Sequence, residues 1–487
     1  MNKRLYHISA VIFVGVTLVY LLFAWDRVLE PSPQFHFTDL AQSFLDGRLD
    51  TDTPRTRGRG AEGEASGLRD AVKRATTGED GKAIGWNDWA SYFELTLREN
   101  GEVVQGVWPW KDQEGRKNEF HTLDGTIRFV DRQHDVARTC TENPRNRCIK
   151  QVYQISFPPF PAVALMPAVA VFGYNVNDVV ITAVLAGLNS VLMFFWLTLL
   201  VNRGYSRADL KSRLWMTLFF AFGTAVFFSS VRGEVWFMAQ IMGCTLHLLF
   251  LLAALDGKHP WLAGMALACG FATRTPLVFA SVFFAFQVFF PPAGGSLTIR
   301  EGAKKLAQFG VPCLMVGVSL LIMNEIRWGS PTEFGHTYLA EGTRPSIRDY
   351  GLFHPHFLER NLRVMLTHVP SFSQEAPYIE ISKHGLGLFI ASPFLLWGLW
   401  VRKWGRLSLG LVVTTLCVFG PALLYQNTGW EQYAFRFSID ALPLFMGLLV
   451  IQHPALGLIA KGAIVVSVIV QGFGAIVFGR FPEFFGG

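Results

Sequence analysis

Charge is scarce in this sequence. Only 16% of its 487 residues are Asp, Glu, Lys or Arg, whereas 51% are hydrophobic and 14% are aromatic. This balance departs from that of soluble globular chains. The sequence also has no P-loop or dinucleotide fingerprint, and no pair of its cysteines or histidines has the spacing of metal ligands. The composition therefore indicates a membrane protein, for which we expect no metal and no cofactor.

Apolar runs nearly free of charge recur along the chain. Only helices and closed barrels span lipid, and these runs are too long for barrel strands. The first run follows Met-Asn-Lys-Arg as a signal peptide would, but no small-residue cleavage site precedes Asp26, so we interpret it as an anchor. The prediction is an all-α polytopic membrane protein with about eleven transmembrane helices. The predicted spans are 7–25, 179–201, 214–230, 235–255, 261–272, 277–290, 311–324, 386–401, 407–425, 441–451 and 458–478.

Lysine and arginine collect in the short loops on one side of these spans. Because cytoplasmic loops carry an excess of these residues, that side is the cytoplasm and the N-terminus lies there. Counting residues 158–173 as a full span would invert everything after them, so we interpret this segment as a helix in the outer leaflet. We expect an integral protein of the bacterial inner (plasma) membrane. The orienting residues are Lys3, Arg4, Arg203, Arg207, Lys211, Arg213, Lys258, Arg300, Lys304, Lys305, Arg402, Lys403 and Arg406.

This topology divides the chain into five parts. They are the first transmembrane helix (1–25), an extracytoplasmic loop domain bearing membrane-surface helices (26–157), an outer-leaflet helix with a transmembrane bundle (158–324), a second outer loop (325–385) and the C-terminal transmembrane helices (386–487). The polar stretch near residues 51–81 is expected to be a mobile excursion of the loop domain.

Two of the six cysteines, Cys140 and Cys148, lie in the outer loop domain, in a compartment where disulfides persist. Their spacing suits a short closed loop, and we expect them to be bonded. The other four fall inside predicted spans, where a free thiol behaves as a small hydrophobic group. These four are Cys244, Cys269, Cys313 and Cys417.

An amphipathic helix is predicted at residues 35–49, FHFTDLAQSFLDGRL. Its apolar residues share one face, and His36 and Asp39 are turned away from that face. We expect the helix to lie on the outer membrane surface, with Asp39 as a candidate catalytic carboxylate and His36 as a candidate substrate contact. The alternative is a helix that only caps the bundle, with a solvated carboxylate.

A second candidate carboxylate, Asp88, lies between Trp86 and Trp89. Aromatic rings beside an acid suit a sugar, because its C–H face stacks on rings while its hydroxyls bond to the carboxylate. The alternative is that these tryptophans are interface anchors. Asp26, at the end of the first span, is a third candidate, but it has Arg27 beside it as an ion-pair partner.

Three arginines fall near the predicted outer ends of spans: Arg232, close to Glu234, together with Arg274 and Arg436. Burying a guanidinium group there is costly unless it is paired. Guanidinium forks match the geometry of phosphate, so their convergence would form a site for a lipid phosphate head group. The alternative is snorkelling, or structural pairing with Glu234, Glu431 or Asp440.

The second outer loop offers Glu333, His336 and Tyr338, which we expect to line the acceptor entrance. Its histidines include His354 and His356, whose spacing is not that of helical metal ligands. We interpret them as solvated loop histidines and assign no metal.

The order of these parts resembles the GT-C superfamily of integral-membrane glycosyltransferases, which includes protein mannosyltransferases and aminoarabinose transferases acting on lipid A. The resemblance rests on FHFTDLAQSFLDGRL, on FPPFPAVALMPAVAVFGYNVND leading into the span that ends near Arg203, and more loosely on GFATRTP and WEQYAFRFSIDALP. It covers most of the chain. It implies transfer of a sugar from a polyprenyl-phosphate carrier to a glycan, lipid or protein acceptor on the extracytoplasmic side, without a nucleotide site or nucleic acid.

The sequence departs from that family at one point. Many members carry an acidic pair at the start of the surface helix, where this chain has Pro-Gln-Phe-His at residues 33–36. The catalytic acid therefore cannot be transferred from the resemblance. Asp26, Asp39 and Asp88 stay candidates for the general base that activates the acceptor hydroxyl.

Two rival functions share the same hydrophobicity and polar helix ends. A solute or lipid transporter would show charges or broken helices near the middle of the membrane and internal symmetry, neither of which is clear here. A polymerase or ligase of surface polysaccharide is the second rival. A structure that shows whether the first loop packs as surface helices over a cavity would distinguish this rival from a glycosyltransferase.

Overall fold

The structure is a computed structural model that describes residues 3–52, 89–138, 140, 148–291, 294, 297–339 and 342–486. Its α-helices within these ranges are α1 Lys3–Ala24, α2 His36–Leu45, α3 Phe160–Phe172, α4 Asp178–Asn202, α5 Leu210–Phe222, α6 Val226–Ser230, α7 Val235–Ala254, α8 Pro260–Phe271, α9 Ser281–Phe289, α10 Ile299–Trp328, α11 Pro345–Tyr350, α12 Leu358–Thr367, α13 Leu388–Ala391, α14 Arg406–Leu424, α15 Leu442–Gln452 and α16 Leu458–Val477. Asp88 and most of the stretch at 51–81 lie outside the described residues.

Six described helices are long and apolar enough to cross a membrane, and they indicate an integral membrane protein: α1, α4, α7, α10, α14 and α16. The prediction of about eleven full spans is therefore wrong. The remaining apolar runs form shorter or broken helices, because prolines and 3₁₀ turns interrupt them. Thr275–Ala280 and Pro393–Leu399 are 3₁₀ segments with a proline in their first turn. Helix α15 has only 11 residues, whereas a bilayer core needs about 20.

The fold is also not all-α. Five strands form an antiparallel sheet in the order β4-β3-β2-β1-β5: β1 Trp89–Thr96, β2 Val103–Val107, β3 Glu119–Thr122, β4 Ile127–Phe129 and β5 Ile149–Ile155. Alternation along β1 sends Phe93 into a core with Trp108 and Phe120, and Tyr92 into a core with Trp328. This sheet was missed because its alternation is weak within a polar segment.

A smaller sheet joins β6 Ser371–Phe372, β7 Ile379–Ser382 and β8 Phe485–Gly486. The β6–β7 pairing is antiparallel and the β7–β8 pairing is parallel. These short strands tie the polar segment before α13 to the end of the chain.

The chain forms two compact units. The helical unit comprises the described residues of Met1–Ser32, Asn177–Val316 and Phe353–Gly487, and the sheet unit comprises those of Pro33–Val176 and Gly317–Leu352. In the sheet unit, Arg327 donates to Gln154 Oε1 at 2.8 Å and to the Ile155 carbonyl at 2.5 Å. The first part of the second outer loop therefore folds with the sheet.

Cys140 and Cys148 form a disulfide, as expected. Cys148 packs in the sheet core, and the Thr96 N–H donates to its carbonyl at 3.0 Å. The four other cysteines are free and lie in helices α7, α8, α10 and α14.

Helix α2 forms where amphipathicity predicted it, and it ends just before Gly47, whose φ of 72° is accessible to glycine without strain. Its polar side is not solvated, however, because His36, Thr38, Asp39 and Ser43 are all buried along with the apolar residues. It packs against α3, which has 13 residues and is too short to cross a bilayer. The expectation of an exposed polar face is corrected accordingly.

Candidate functional site

Charged side chains of the helical unit gather where several helix ends meet. Each lies just beyond an apolar run, where lipid no longer penalises charge so heavily. Arg27 follows α1, Arg232 and Glu234 precede α7, Arg274 follows α8, and Arg436 and Asp440 precede α15. The Phe478 carbonyl at the end of α16 accepts from Arg27 Nη2 at 2.6 Å and from Arg232 Nη1 at 3.1 Å. Five helices therefore contribute an end to one cluster.

Two of the predicted arginines have carboxylate partners. Arg232 Nε donates to Glu234 Oε2 at 2.9 Å, and its Nη2 donates to Glu234 Oε1. Arg274 donates to both oxygens of Asp440, with Nε–Oδ1 at 3.1 Å and Nη2–Oδ2 at 2.6 Å. The alternative of structural pairing therefore holds for both residues: Arg232 pairs with Glu234, and Arg274 pairs with Asp440.

Close approach of two helices positions Arg274. A Cβ atom at Gly243 of α7 would lie 2.7 Å from Arg274 Cγ, so only glycine leaves room there. On the next turn of α7, His247 Nδ1 lies 2.8 Å from the Asp440 carbonyl oxygen. Both contacts hold the Arg274–Asp440 pair against α7.

Phenylalanine rings connect the three predicted arginines. The guanidinium carbons of Arg274 and Arg436 lie 5.7 and 5.8 Å from the centre of the Phe437 ring. Those of Arg436 and Arg232 each lie 5.1 Å from the centre of Phe237. Such cation–π contacts are stronger when they are desolvated. Arg274, Arg436 and Arg232 therefore converge through two shared rings.

Cations outnumber carboxylates in this cluster. Burial raises the pKa of Glu431, and the charges of Lys383, Arg232 and Arg436 oppose that rise, so Glu431 lies within electrostatic reach of all three. The cluster contains the cations Arg27, Arg232, Arg274, Lys383, Arg436 and Arg480 and the carboxylates Asp26, Glu234, Glu431 and Asp440. A partly buried excess of positive charge favours binding of an anion.

No family model, curated protein or solved structure matches this chain.

The sheet unit holds Asp39 and His36. Asp39 is 1% exposed, and Tyr174 donates its hydroxyl to Asp39 Oδ1 at 3.2 Å. The His36 ring stacks on Trp89, with the ring centres 3.8 Å apart. Burial lowers the pKa of His36 to about 3, so this side chain is neutral near pH 7. Asp39 is therefore not a solvated surface carboxylate, and His36 offers no positive charge to a phosphate.

The residues expected at the acceptor entrance also belong to the sheet unit. Glu333 Oε1 accepts from the Gly335 N–H at 2.6 Å, and Tyr338 stacks on Trp328 with the ring centres 5.1 Å apart. Burial, together with the positive charge of Arg344, lowers the pKa of His336 to about 4. These contacts lie within the sheet unit. A role of these residues at the acceptor entrance stays a prediction.

The remaining carboxylate candidates differ in placement. Asp26 accepts from Arg480 Nε at 3.1 Å and its side chain is 64% exposed, so its ion-pair partner is Arg480 instead of the expected Arg27. Asp88 is outside the described residues. The hypothesis that an outer-loop carboxylate faces the arginines stays a prediction.

Sequence reasoning missed Lys383 and Arg480, and it gave two other members of the cluster a different role. Arg27 was considered only as an interface partner of Asp26, and Glu431 only as a structural partner of an arginine. A signal for Glu431 was present, because it follows Trp430 in WEQYAFRF. An aromatic residue beside a carboxylate is the same pattern that drew attention to Asp88.

Proposed function

We propose that this protein is an integral-membrane glycosyltransferase that moves a sugar from a polyprenyl-phosphate carrier to an acceptor on the extracytoplasmic side. The observation that supports it is the partly buried excess of cations around Arg436, at the ends of helices that belong to an integral membrane protein. A lipid-linked phosphate matches that location, because its head group is anionic while its chain lies among apolar helices.

The chemistry assigned to this cluster is electrostatic. The acceptor oxygen attacks the anomeric carbon as the bond from that carbon to the phosphate oxygen breaks, and the electron pair leaves with the phosphate. Fixed guanidinium groups stabilise the charge that develops on the departing phosphate. A carboxylate accepts the proton of the acceptor hydroxyl.

Arg436 is the arginine best suited to the donor phosphate. Arg232 and Arg274 each direct two N–H groups at a carboxylate. Arg436 is itself buried, and its guanidinium carbon lies 5.1 Å from the centre of the Phe237 ring and 5.8 Å from that of the Phe437 ring. Arg436 therefore shares one ring with Arg232 and the other with Arg274, which puts it in the middle of the cluster.

The location of the site on the extracytoplasmic side follows from the lysine and arginine distribution. Arg402 lies at the other end of α15, where its backbone N–H donates to Gln452 Oε1 at 3.0 Å. In this orientation Arg402 is cytoplasmic and Arg436 is extracytoplasmic. The two arginines flank the same helix and form a matched pair for mutagenesis.

The test compares Arg436→Met with Arg402→Met in the purified full chain. We expect Arg436→Met to weaken binding of a short polyprenyl phosphate by about tenfold or more, the effect of losing a charged hydrogen bond. We expect Arg402→Met to bind as the unchanged chain does. Equal binding by all three proteins would contradict the proposal.

Reconstituted vesicles separate the rival functions. Transfer of one sugar per acceptor from a polyprenyl-phosphate donor supports the proposed reaction. Movement of polyprenyl phosphate between leaflets without transfer would indicate a lipid transporter. A ladder of products of increasing length would indicate a polymerase.

A further inference from the structure

The loop that precedes Arg436 is built around an aromatic residue and an acid, Trp430 and Glu431. It begins with a turn in which Asn427 Oδ1 accepts from the N–H groups of Gly429 and Trp430, both at 2.9 Å. Asn side chains stabilise turns in this way. The turn fixes the backbone position of Trp430 and thereby the direction of its side chain.

Gln432 joins this loop to the arginine cluster. Its side chain is fully buried, and its Nε2 donates to the carbonyls of Thr428 and His384 at 2.9 and 2.8 Å. Its Oε1 accepts from the Arg436 N–H at 3.0 Å. One side chain thus sets the spacing between the loop and Arg436 and holds the loop next to the cluster.

Glu431 has an unusual backbone conformation. Its φ is 57°, in the left-handed region that residues with a side chain seldom adopt. Such conformations persist where the surrounding structure fixes them, and they are frequent at functional sites. Within the part of the chain that the structure describes, no hydrogen bond or salt bridge engages the Glu431 carboxylate, although Lys383, Arg232 and Arg436 influence it. The carboxylate therefore has hydrogen-bonding capacity left for a ligand.

Trp430 provides an accessible ring beside that carboxylate. Its side chain is 36% exposed. The His384 ring meets it edge to face with the centres 4.7 Å apart, and Lys383 Nζ lies 5.8 Å from its centre. His384 is itself held by Thr428, whose Oγ1 lies 2.7 Å from His384 Nδ1. The indole is thus supported by neighbours while part of its surface stays open.

We propose that Trp430 and Glu431 form a carbohydrate-binding subsite beside the cation cluster. The C–H face of a sugar ring packs on the indole, and sugar hydroxyls donate to the Glu431 carboxylate. The adjacent arginines bind the phosphate attached to that sugar. This inference rests on the proposed function and identifies the end of the site that holds the transferred sugar.

The experiment measures binding of three probes to the full chain in nanodiscs. They are farnesyl phosphate, farnesyl-phosphate mannose and farnesyl-phosphate aminoarabinose. We expect at least one sugar-bearing probe to bind more tightly than farnesyl phosphate. Trp430→Ala should reduce affinity for that probe about tenfold, in line with loss of an aromatic contact, and leave farnesyl phosphate within about twofold. Trp430→Phe should restore most of the difference, and Glu431→Gln should weaken the sugar-bearing probe about fivefold.

Trp400→Ala is the matched control, because Trp400 is 65% exposed and lies in the segment before α14. It should leave all three affinities unchanged. The subsite is overturned if the unchanged chain binds no sugar-bearing probe better than farnesyl phosphate, or if Trp430→Ala weakens all probes equally. Failure of the chain to bind any of the three would instead reject the proposed function, and the subsite with it.

Discussion

Arg274 and Asp440 form a two-point ion pair across 166 residues of sequence, at 3.1 and 2.6 Å. The pair joins the end of α8 to the turn before α15, and only 3% of the Asp440 side chain is exposed. Removing one partner of a buried pair leaves the other charge uncompensated. We predict that Asp440→Asn destabilises the protein by about 3 kcal/mol, measured as loss of thermal stability in detergent.

A double replacement is the control for this prediction. Arg274→Met with Asp440→Leu removes both charges, and apolar replacement of a buried pair is often nearly neutral. We expect the double variant to be more stable than Asp440→Asn. Equal losses in the two proteins would show that the ion pair does not account for the effect.

The disulfide closes a short loop on the sheet. A link across 8 residues is expected to stabilise the sheet unit by about 2 to 3 kcal/mol through loss of chain entropy in the unfolded state. Cys140→Ser with Cys148→Ser should therefore increase proteolysis of the sheet unit, whereas Cys417→Ser, a free thiol in α14, should not. Maleimide labelling of Cys148 in intact cells without reductant would contradict an oxidised pair.

Hydropathy predicted the positions of the membrane helices better than their lengths. The predicted spans 7–25 and 458–478 match α1 and α16 within a few residues. Helix α10 extends well beyond its predicted span of 311–324, because charged residues continue the helix past the apolar run. The opposite error occurred at Pro393, inside the predicted span 386–401, where an apolar composition hid a break in the α-helix.

The site could be predicted only in its parts. Arg232, Arg274 and Arg436 were identified because charges beside apolar runs need partners. The choice of partner depends on tertiary packing, so Glu234, Glu431 and Asp440 were equivalent alternatives in the sequence and differ in the structure. The shared contacts with Phe237 and Phe437 have no sequence signal, since phenylalanine is abundant in the chain.

His36 makes the sheet unit sensitive to acid. Its pKa of about 3 in the folded state is below the value of about 6.5 for an unfolded chain. Below the unfolded pKa, the unfolded chain binds a proton at His36 that the folded chain does not bind. The free energy of unfolding therefore falls as pH decreases from the unfolded toward the folded pKa, by about 2 kcal/mol at pH 5. We predict that His36→Phe, which keeps a ring against Trp89, loses less stability than the unchanged chain between pH 7.5 and pH 5.

Thermal unfolding at the two pH values provides the measurement. His134→Gln is the control for loss of an exposed histidine from the same unit, because the His134 side chain is 77% exposed and forms only a surface ion pair with Asp131. Loss of such a pair should change stability by about 1 kcal/mol or less, which is smaller than the effect expected for His36→Phe. The same pH dependence in His36→Phe and in the unchanged chain would exclude His36 as the acid-sensitive group.

Asp39 and Asp88 remain the outer-loop candidates for the general base. An acceptor hydroxyl must lose its proton as it attacks the anomeric carbon, and a carboxylate that takes this proton contributes about 10² to 10⁴ in rate. Asp39→Asn keeps an oxygen able to accept from Tyr174, which now donates to Asp39 at 3.2 Å, but it removes the basic group. We therefore predict that transfer from a polyprenyl-phosphate donor falls by that factor in Asp39→Asn or in Asp88→Asn.

The control for these variants is Asp46→Asn at the end of α2, where the Asp46 carboxylate accepts from Gln42 Nε2 at 3.0 Å. It should transfer sugar at the unchanged rate. Thermal midpoints must first show that each variant is folded, since Asp39 is buried and its replacement also tests packing. Full transfer activity in both Asp39→Asn and Asp88→Asn would mean that neither carboxylate is the base. The proton would then have to pass to another carboxylate, and Glu431 is the first to replace, because burial raises its pKa above that of an ordinary glutamate.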